Sequence, residues 1–350
     1  MLLLALSIPA FGQSASPYTV GAYYYSWYGG TDNPHWPMGV SHKPWLGYYQ
    51  SASPDVVRQQ IEVASSHGIN VFAVSWTGQG SASEVKFKSG FLRASNLSKI
   101  RFSILYETSL RLSHGVSPTN FNDPAVASLF ISDMTYLART YFGHPSYFKI
   151  DGRPVVTLYL TRTFKGEFVP VLNQVRTQLK ALGWDPYFVG DSFFYGRNDL
   201  YVISQFDAVT DYSLFSTSLP GQSIDTTGKL ADFARPLFWN FAYQIANVNV
   251  RTTTTRVDFQ PGVIPQFDGR VRRQSATALL AQNKDEVKQM LSVAKDLVDS
   301  KPSGQKIVWI TSWNEWHEGT AIEPTVSEGP KYPGGNFGFD FVDAVSEVFQ

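Results

Sequence analysis

Cysteine is missing from the 350 residues. Disulfides and thiolate metal sites are therefore excluded, and thiol usage says nothing about compartment. Charge is scarce as well. Only 17% of residues are Asp, Glu, Lys or Arg, the 29 basic ones balance the 29 acidic ones, and neither sign forms a long run. A polyanion binder would carry a basic patch, so nucleic acid and anionic membrane are not expected partners. No apolar stretch reaches the length of a membrane-spanning helix. The six histidines are scattered and no His-Glu-x-x-His spacing occurs, so neither a bound metal nor another cofactor is expected. There is no Gly-x-Ser-x-Gly elbow for a serine nucleophile. Gly78-Gln79-Gly80 lacks the spacing of a phosphate-binding turn.

Aromatic residues, by contrast, make up 15% of the chain. They suit either a large core or a site for sugars, whose C–H faces stack on rings. The N-terminal run Met1 to Ala10 is apolar, and Ala10-x-Gly12 has the small-x-small form of a leader cleavage site. Residues 1–12 are expected to be a signal peptide, although no Lys or Arg precedes the apolar run. A secreted or periplasmic protein, monomeric, would begin near Gln13.

Apolar β-rich runs then alternate with helical ones. Strands are predicted at 19–25, 70–76, 101–106, 154–160, 187–190, 206–211, 262–266 and 307–312. Most are continuous apolar runs, as in parallel strands buried on both faces. Helices are predicted at 54–66, 84–95, 124–142, 168–182, 229–245, 276–299 and 340–348. Ser53-Pro54 and Asp123-Pro124 mark two of their starts, each a capping residue followed by proline at the first helical position. The alternation implies an α/β fold, and 13–350 reads as a single (β/α)8 TIM barrel.

Active sites of such barrels lie at the C-terminal ends of the strands. The polar and aromatic residues expected there are Tyr24 and Tyr28 with His35 and Trp36 after strand one, Trp76 after strand two, and Glu107 after strand three. Tyr212 follows strand six, Arg272 follows strand seven, and Asn314 through Glu318 follow strand eight. Together they describe an aromatic-walled cup with carboxylates on its floor. Glu315 and Glu318 carry the strongest signal, because two carboxylates three residues apart after a strand can converge on one small volume. Like charges that close cannot both ionise easily, which leaves one acid and one carboxylate near neutral pH. Glycosidic cleavage needs that pair. Trp316 and His317 lie between and beside them.

Gly21-Ala22-Tyr23-Tyr24-Tyr25-Ser26-Trp27-Tyr28-Gly29 with His35-Trp36, and Trp313-Asn314-Glu315-Trp316-His317-Glu318-Gly319-Thr320 with Ile322-Glu323-Pro324, resemble the signatures of glycoside hydrolase family 99. That family comprises endo-α-mannosidases and endo-α-1,2-mannanases. The resemblance implies a (β/α)8 barrel that cleaves α-mannosidic linkages within a glycan and retains anomeric configuration. It implies that Glu315 acts as base toward the sugar's 2-hydroxyl, giving a 1,2-anhydro sugar, and that Glu318 protonates the leaving oxygen and then activates water. Tyr24 or Tyr28, Tyr212, Glu107 and Arg272 match subsite-lining positions by order, and the partner implied is a mannose-containing glycan. The sequence departs from the family at Tyr159-Leu160-Thr161-Arg162, where no matching acidic group occurs, and the loops after strands one and two are compact. Action on another α-glycan, or sugar binding without turnover, are the alternatives.

Overall fold

The computed structural model describes residues 16–30, 35–36, 39–40, 42–115, 118–193, 199–213, 229–251, 256–271, 278–301, 304–329, 331 and 333–350. The expected leader lies outside them. The barrel strands are β1 (Thr19–Tyr24), β2 (Val71–Trp76), β3 (Arg101–Tyr106), β4 (Arg153–Leu158), β5 (Tyr187–Asp191) and β6 (Ala208–Thr210). Strand β7 comes in two pieces, Asp258–Phe259 and Gly262–Val263, and β8 is Ile307–Ile310. Each strand pairs in parallel with the next, and β1 pairs with β8. The first piece of β7 pairs with β6 and the second with β8, so the ring closes across Gln260 and Pro261. Proline has no N–H to give a ladder, which accounts for the break. Strand seven thus starts earlier than the predicted 262–266.

A helix follows each strand: α1 (Pro54–Ser66), α2 (Ala82–Ser89), α3 (Pro124–Thr140), α4 (Phe168–Ala181), α5 (Leu200–Ile203), α6 (Lys229–Arg251), α7 (Lys284–Ser300) and α8 (Asp340–Phe349). The starts obey local chemistry. Ser53 accepts from the Val56 amide and Asp123 from the Ala125 amide, each ahead of a proline. Asn283 accepts from the Glu286 amide, so α7 begins at Lys284 rather than at the predicted 276. Helix α2 stops at Gly90 instead of running to 95, because the chain turns there against Ser51. The one-turn helices Thr108–Leu112 and α5 carry too few residues to show a period in the sequence.

Alternate strand residues feed two cores. Val20, Ala22, Tyr24, Phe72, Val74, Trp76, Ile104 and Tyr106 pack outward against the helices. Tyr23, Tyr25, Val71, Ala73, Leu105, Val189 and Trp309 fill the barrel. Trp309 lies so close over Gly21 that a Cβ there would sit 2.3 Å from its ring. At the N-terminal end of the barrel the segment before β1 meets α8. Ser16 Oγ donates to the Phe349 carbonyl at 2.7 Å, and the Tyr18 ring packs edge-on against Phe349. No described helix is long and apolar enough to cross a membrane.

Candidate functional site

The C-terminal ends of the strands enclose a pocket of about 380 Å³ lined by Tyr25, Trp27, His35, Glu107, Tyr159, Leu160, Tyr212, Glu315, His317 and Glu318, with Ser109, Leu110 and Gly115 at one side. Inward-facing residues just beyond β1, β3, β4 and β6 supply Tyr25, Glu107, Tyr159 and Tyr212. The loop after β8 supplies the two glutamates and His317.

That loop is shaped by its own polar atoms. The Ser312 amide donates to the Thr320 carbonyl at 3.0 Å, and Ser312 Oγ meets Thr320 Oγ1 at 2.9 Å. The Glu315 amide donates to Ser312 Oγ at 2.7 Å, and Glu315 Oε1 accepts from the His317 amide at 3.2 Å. Tyr28 closes the curl: its hydroxyl donates to the Asn314 carbonyl at 2.7 Å and accepts from the Trp316 amide at 3.0 Å. Asn314 clasps the end of β1, accepting from the Tyr25 amide at 2.7 Å and donating to the Tyr25 carbonyl at 2.9 Å.

Three carboxylates act on one volume. Burial pushes Glu107 up to about 7, against the stabilising Ser75 hydroxyl at 2.8 Å, and the charges of Glu318 and Asp191 push the same way. The Tyr25 and Tyr212 hydroxyls hydrogen-bond to each other. Burial holds both far above the ordinary tyrosine range, and Glu315 and Glu318 add to the effect on each. Both stay protonated at neutral pH; one proton bridges the pair, which leaves the other to donate elsewhere. Asp191 braces the wall: it accepts from the Tyr212 and Leu160 amides, both at 3.0 Å, and from Arg162 at 2.7 Å. Arg162, in the stretch where the sequence showed no acidic match, pairs with Asp191 from the neighbouring strand.

Of the residues expected in the cup, Glu107, Tyr212, His35, His317, Glu315 and Glu318 line the pocket. Tyr24 and Trp76 do not, and that expectation is corrected. Tyr24 faces α1, where its hydroxyl donates to Gln60 Oε1 at 2.8 Å. Trp76 faces α2, where its indole donates to Glu84 Oε1 at 3.0 Å. The residues beside them in sequence, Tyr25 and Ser75, point inward. Tyr28, Asn314 and Trp316 lie behind the pocket and shape its loop. Trp36 stacks on Tyr28 and donates to the Tyr49 carbonyl at 2.7 Å, also behind the lining. Arg272 lies outside the described residues. Tyr25 and Tyr159, at the ends of strands one and four, line the pocket as well; a strand buried on both faces carries no alternation to show which of its tyrosines face inward.

A larger cavity, about 720 Å³, opens at the other end of the barrel near Arg153, Asp207, Asp258 and Lys301. Two of its carboxylates are paired with cations: Asp207 with Arg153 at 2.7 Å and Arg176 at 3.0 Å, and Asp258 with Lys301 at 2.8 Å.

A parallel (β/α)8 barrel with crowded carboxylates and tyrosines at its C-terminal mouth has the architecture of barrel glycoside hydrolases. The chain belongs to the family described as Glycosyltransferase WbsX, whose profile matches residues 128–333. Among curated proteins it is 22% identical to the uncharacterized protein WxcX of Xanthomonas campestris, over 81% of this chain and 41% of that protein. It is 23% identical to the glycoprotein endo-alpha-1,2-mannosidase of Rattus norvegicus, over 88% of this chain and 68% of that one. The chain thus spans about two fifths of the length of the first of these relatives and about two thirds of the second. Its fold matches that of the GH99 endo-alpha-mannosidase from Bacteroides thetaiotaomicron with a TM-score of 0.64 at 19% identity, covering 94% of this chain and 95% of that one.

Proposed function

We propose that the protein is an exported glycoside hydrolase that cleaves α-mannosidic linkages within a glycan and retains anomeric configuration. The observation that carries this reading is the convergence of Glu315 and Glu318 on one pocket with Glu107, Tyr25, Tyr159 and Tyr212. Glu315 is held at the inner turn of the loop and acts as base toward the 2-hydroxyl of the bound sugar, which attacks C1. Glu318 protonates the leaving oxygen and then deprotonates the water that opens the 1,2-anhydro sugar. In α-mannosides the axial 2-hydroxyl lies opposite the leaving group, so an internal displacement is geometrically direct. Glu107, near neutrality in its titration, and the two hydrogen-bonded tyrosines hold the remaining hydroxyls.

A second reading, glycosyl transfer, is favoured by the description of the family. A sugar diphosphate donor requires cations around its phosphates, and no Lys or Arg lines the described part of this pocket. Transfer to a sugar hydroxyl in place of water would use the same two glutamates.

Incubation with an α-1,2-mannan, an α-glucan and a nucleotide sugar separates these readings, with products followed by NMR for anomeric configuration. Retained α-oligosaccharides from mannan are expected. An inverted product discards the mechanism, release from glucan alone moves the substrate class, and binding without product in every case leaves a sugar-binding barrel. Intact-mass analysis of exported protein tests the leader, and retention of Met1 would contradict it.

A further inference from the structure

Beneath the loop of Glu315 runs a buried chain of hydrogen bonds that the proposed chemistry does not use. Tyr24 donates to Gln60 Oε1 at 2.8 Å, and Gln60 Nε2 donates to Glu323 Oε1 at 2.7 Å. The Tyr49 hydroxyl donates to Glu323 Oε2 at 2.7 Å. The same hydroxyl accepts from Asn314 Nδ2 at 3.1 Å and from Trp316 Nε1 at 3.2 Å. A phenol has one proton and two lone pairs. Two donors aim at the Tyr49 oxygen, so its proton is directed to Glu323, and the junction is satisfied only with that carboxyl in place. The residues it grips stand on either side of Glu315, and their backbone is clasped from another direction by Tyr28. Tyr49, Gln60 and Glu323 are all buried, and none lines the pocket.

We propose that Tyr49, held by Glu323, is a positioning residue that fixes the aim of Glu315 by gripping Asn314 and Trp316. Its consequence for catalysis rests on the hydrolase reading; its consequence for the loop does not. Tyr49→Phe keeps the ring and deletes the junction. Glu323→Leu deletes the acceptor, whereas Glu323→Gln retains an oxygen for the Tyr49 proton once the Gln60 amide turns to accept from the new NH2 and donate to Tyr24.

The test combines hydrogen exchange of the Trp316 indole, read by NMR on the whole chain, with kcat and KM on α-mannan. Tyr49→Phe and Glu323→Leu should speed indole exchange at least 10-fold. They should lower kcat by up to about 10²-fold, the scale of a misplaced catalytic group, with KM little changed. Glu323→Gln should recover most of both losses relative to Glu323→Leu. Unchanged indole exchange in Tyr49→Phe overturns the proposal, as does a rise in KM with kcat intact. Faster exchange in a protein whose wild type cleaves no glycan would remove the hydrolase reading and leave the positioning role standing.

Discussion

The glutamates of this barrel differ in what surrounds them more than in what they are. Glu318 and Glu315 share a pocket with a third carboxyl, and the roles proposed for them are told apart by leaving-group demand. Glu318→Gln should lower turnover of natural glycan by about 10²- to 10⁴-fold, the usual contribution of a general acid, while largely sparing an aryl or fluoride mannoside. Glu315→Gln should impair both substrates alike, measured as kcat on each. Tyr212 and Trp76 make a second contrast. Tyr212→Phe should lower kcat/KM by an amount worth about 1 kcal/mol, the loss of one hydrogen bond, with little change in denaturant midpoint. Trp76→Ala should instead cost about 3–5 kcal/mol of stability, because it empties a buried site against Tyr106 and removes one of the hydrogen bonds to Glu84. A drop in affinity for glycan without loss of stability would put Trp76 back in the site. The sequence made Glu107, Glu315 and Glu318 legible because a charge at the end of an apolar run has few other reasons to be there. It could not separate Tyr24 from Tyr25, since three consecutive tyrosines read the same on either face.

That ambiguity is a property of elements. Strands covered by helices outside and by each other inside are apolar on both faces, so their positions were legible while the facing of each side chain was not. The helices showed the converse: their caps located the starts of α1 and α3 to the residue, whereas one-turn pieces left no period to read. Strand β7 is the element where backbone matters most. A Cβ on Gly262 would stand 2.0 Å from the Asp211 carbonyl oxygen, main chain against main chain, with the Gly262 amide already bound to Asp211 Oδ1 at 2.7 Å. Gly262→Ala should therefore destabilise the protein by about 3 kcal/mol, read from chemical unfolding. A neutral result would show that the closure of the ring is softer than its geometry.

For the whole molecule, buried carboxyls set how stability follows pH. Burial raises Glu107 from 4.5 to about 7 and Glu323 from 4.5 to about 8. Unfolding lets both ionise at their ordinary value, so their contribution is complete below 4.5 and is lost as pH rises through about 7 and about 8. Melting temperature should decline across that window, and the Glu107→Gln, Glu323→Gln double variant should decline less steeply. A parallel decline would assign the effect to other groups. The meeting of Ser16 with Phe349 carries its own consequence at this scale. Residues 16 and 349 thus stand side by side at the end of the barrel away from the carboxylates. A short Gly-Ser bridge from residue 350 to residue 16 should therefore permit new termini at the exposed turn around Gly183, and such a circular permutant should fold with its mouth unaltered. In engineering terms the old ends are a hinge pin: a surface tether placed there would hold the molecule by its base and leave the mouth facing the solution.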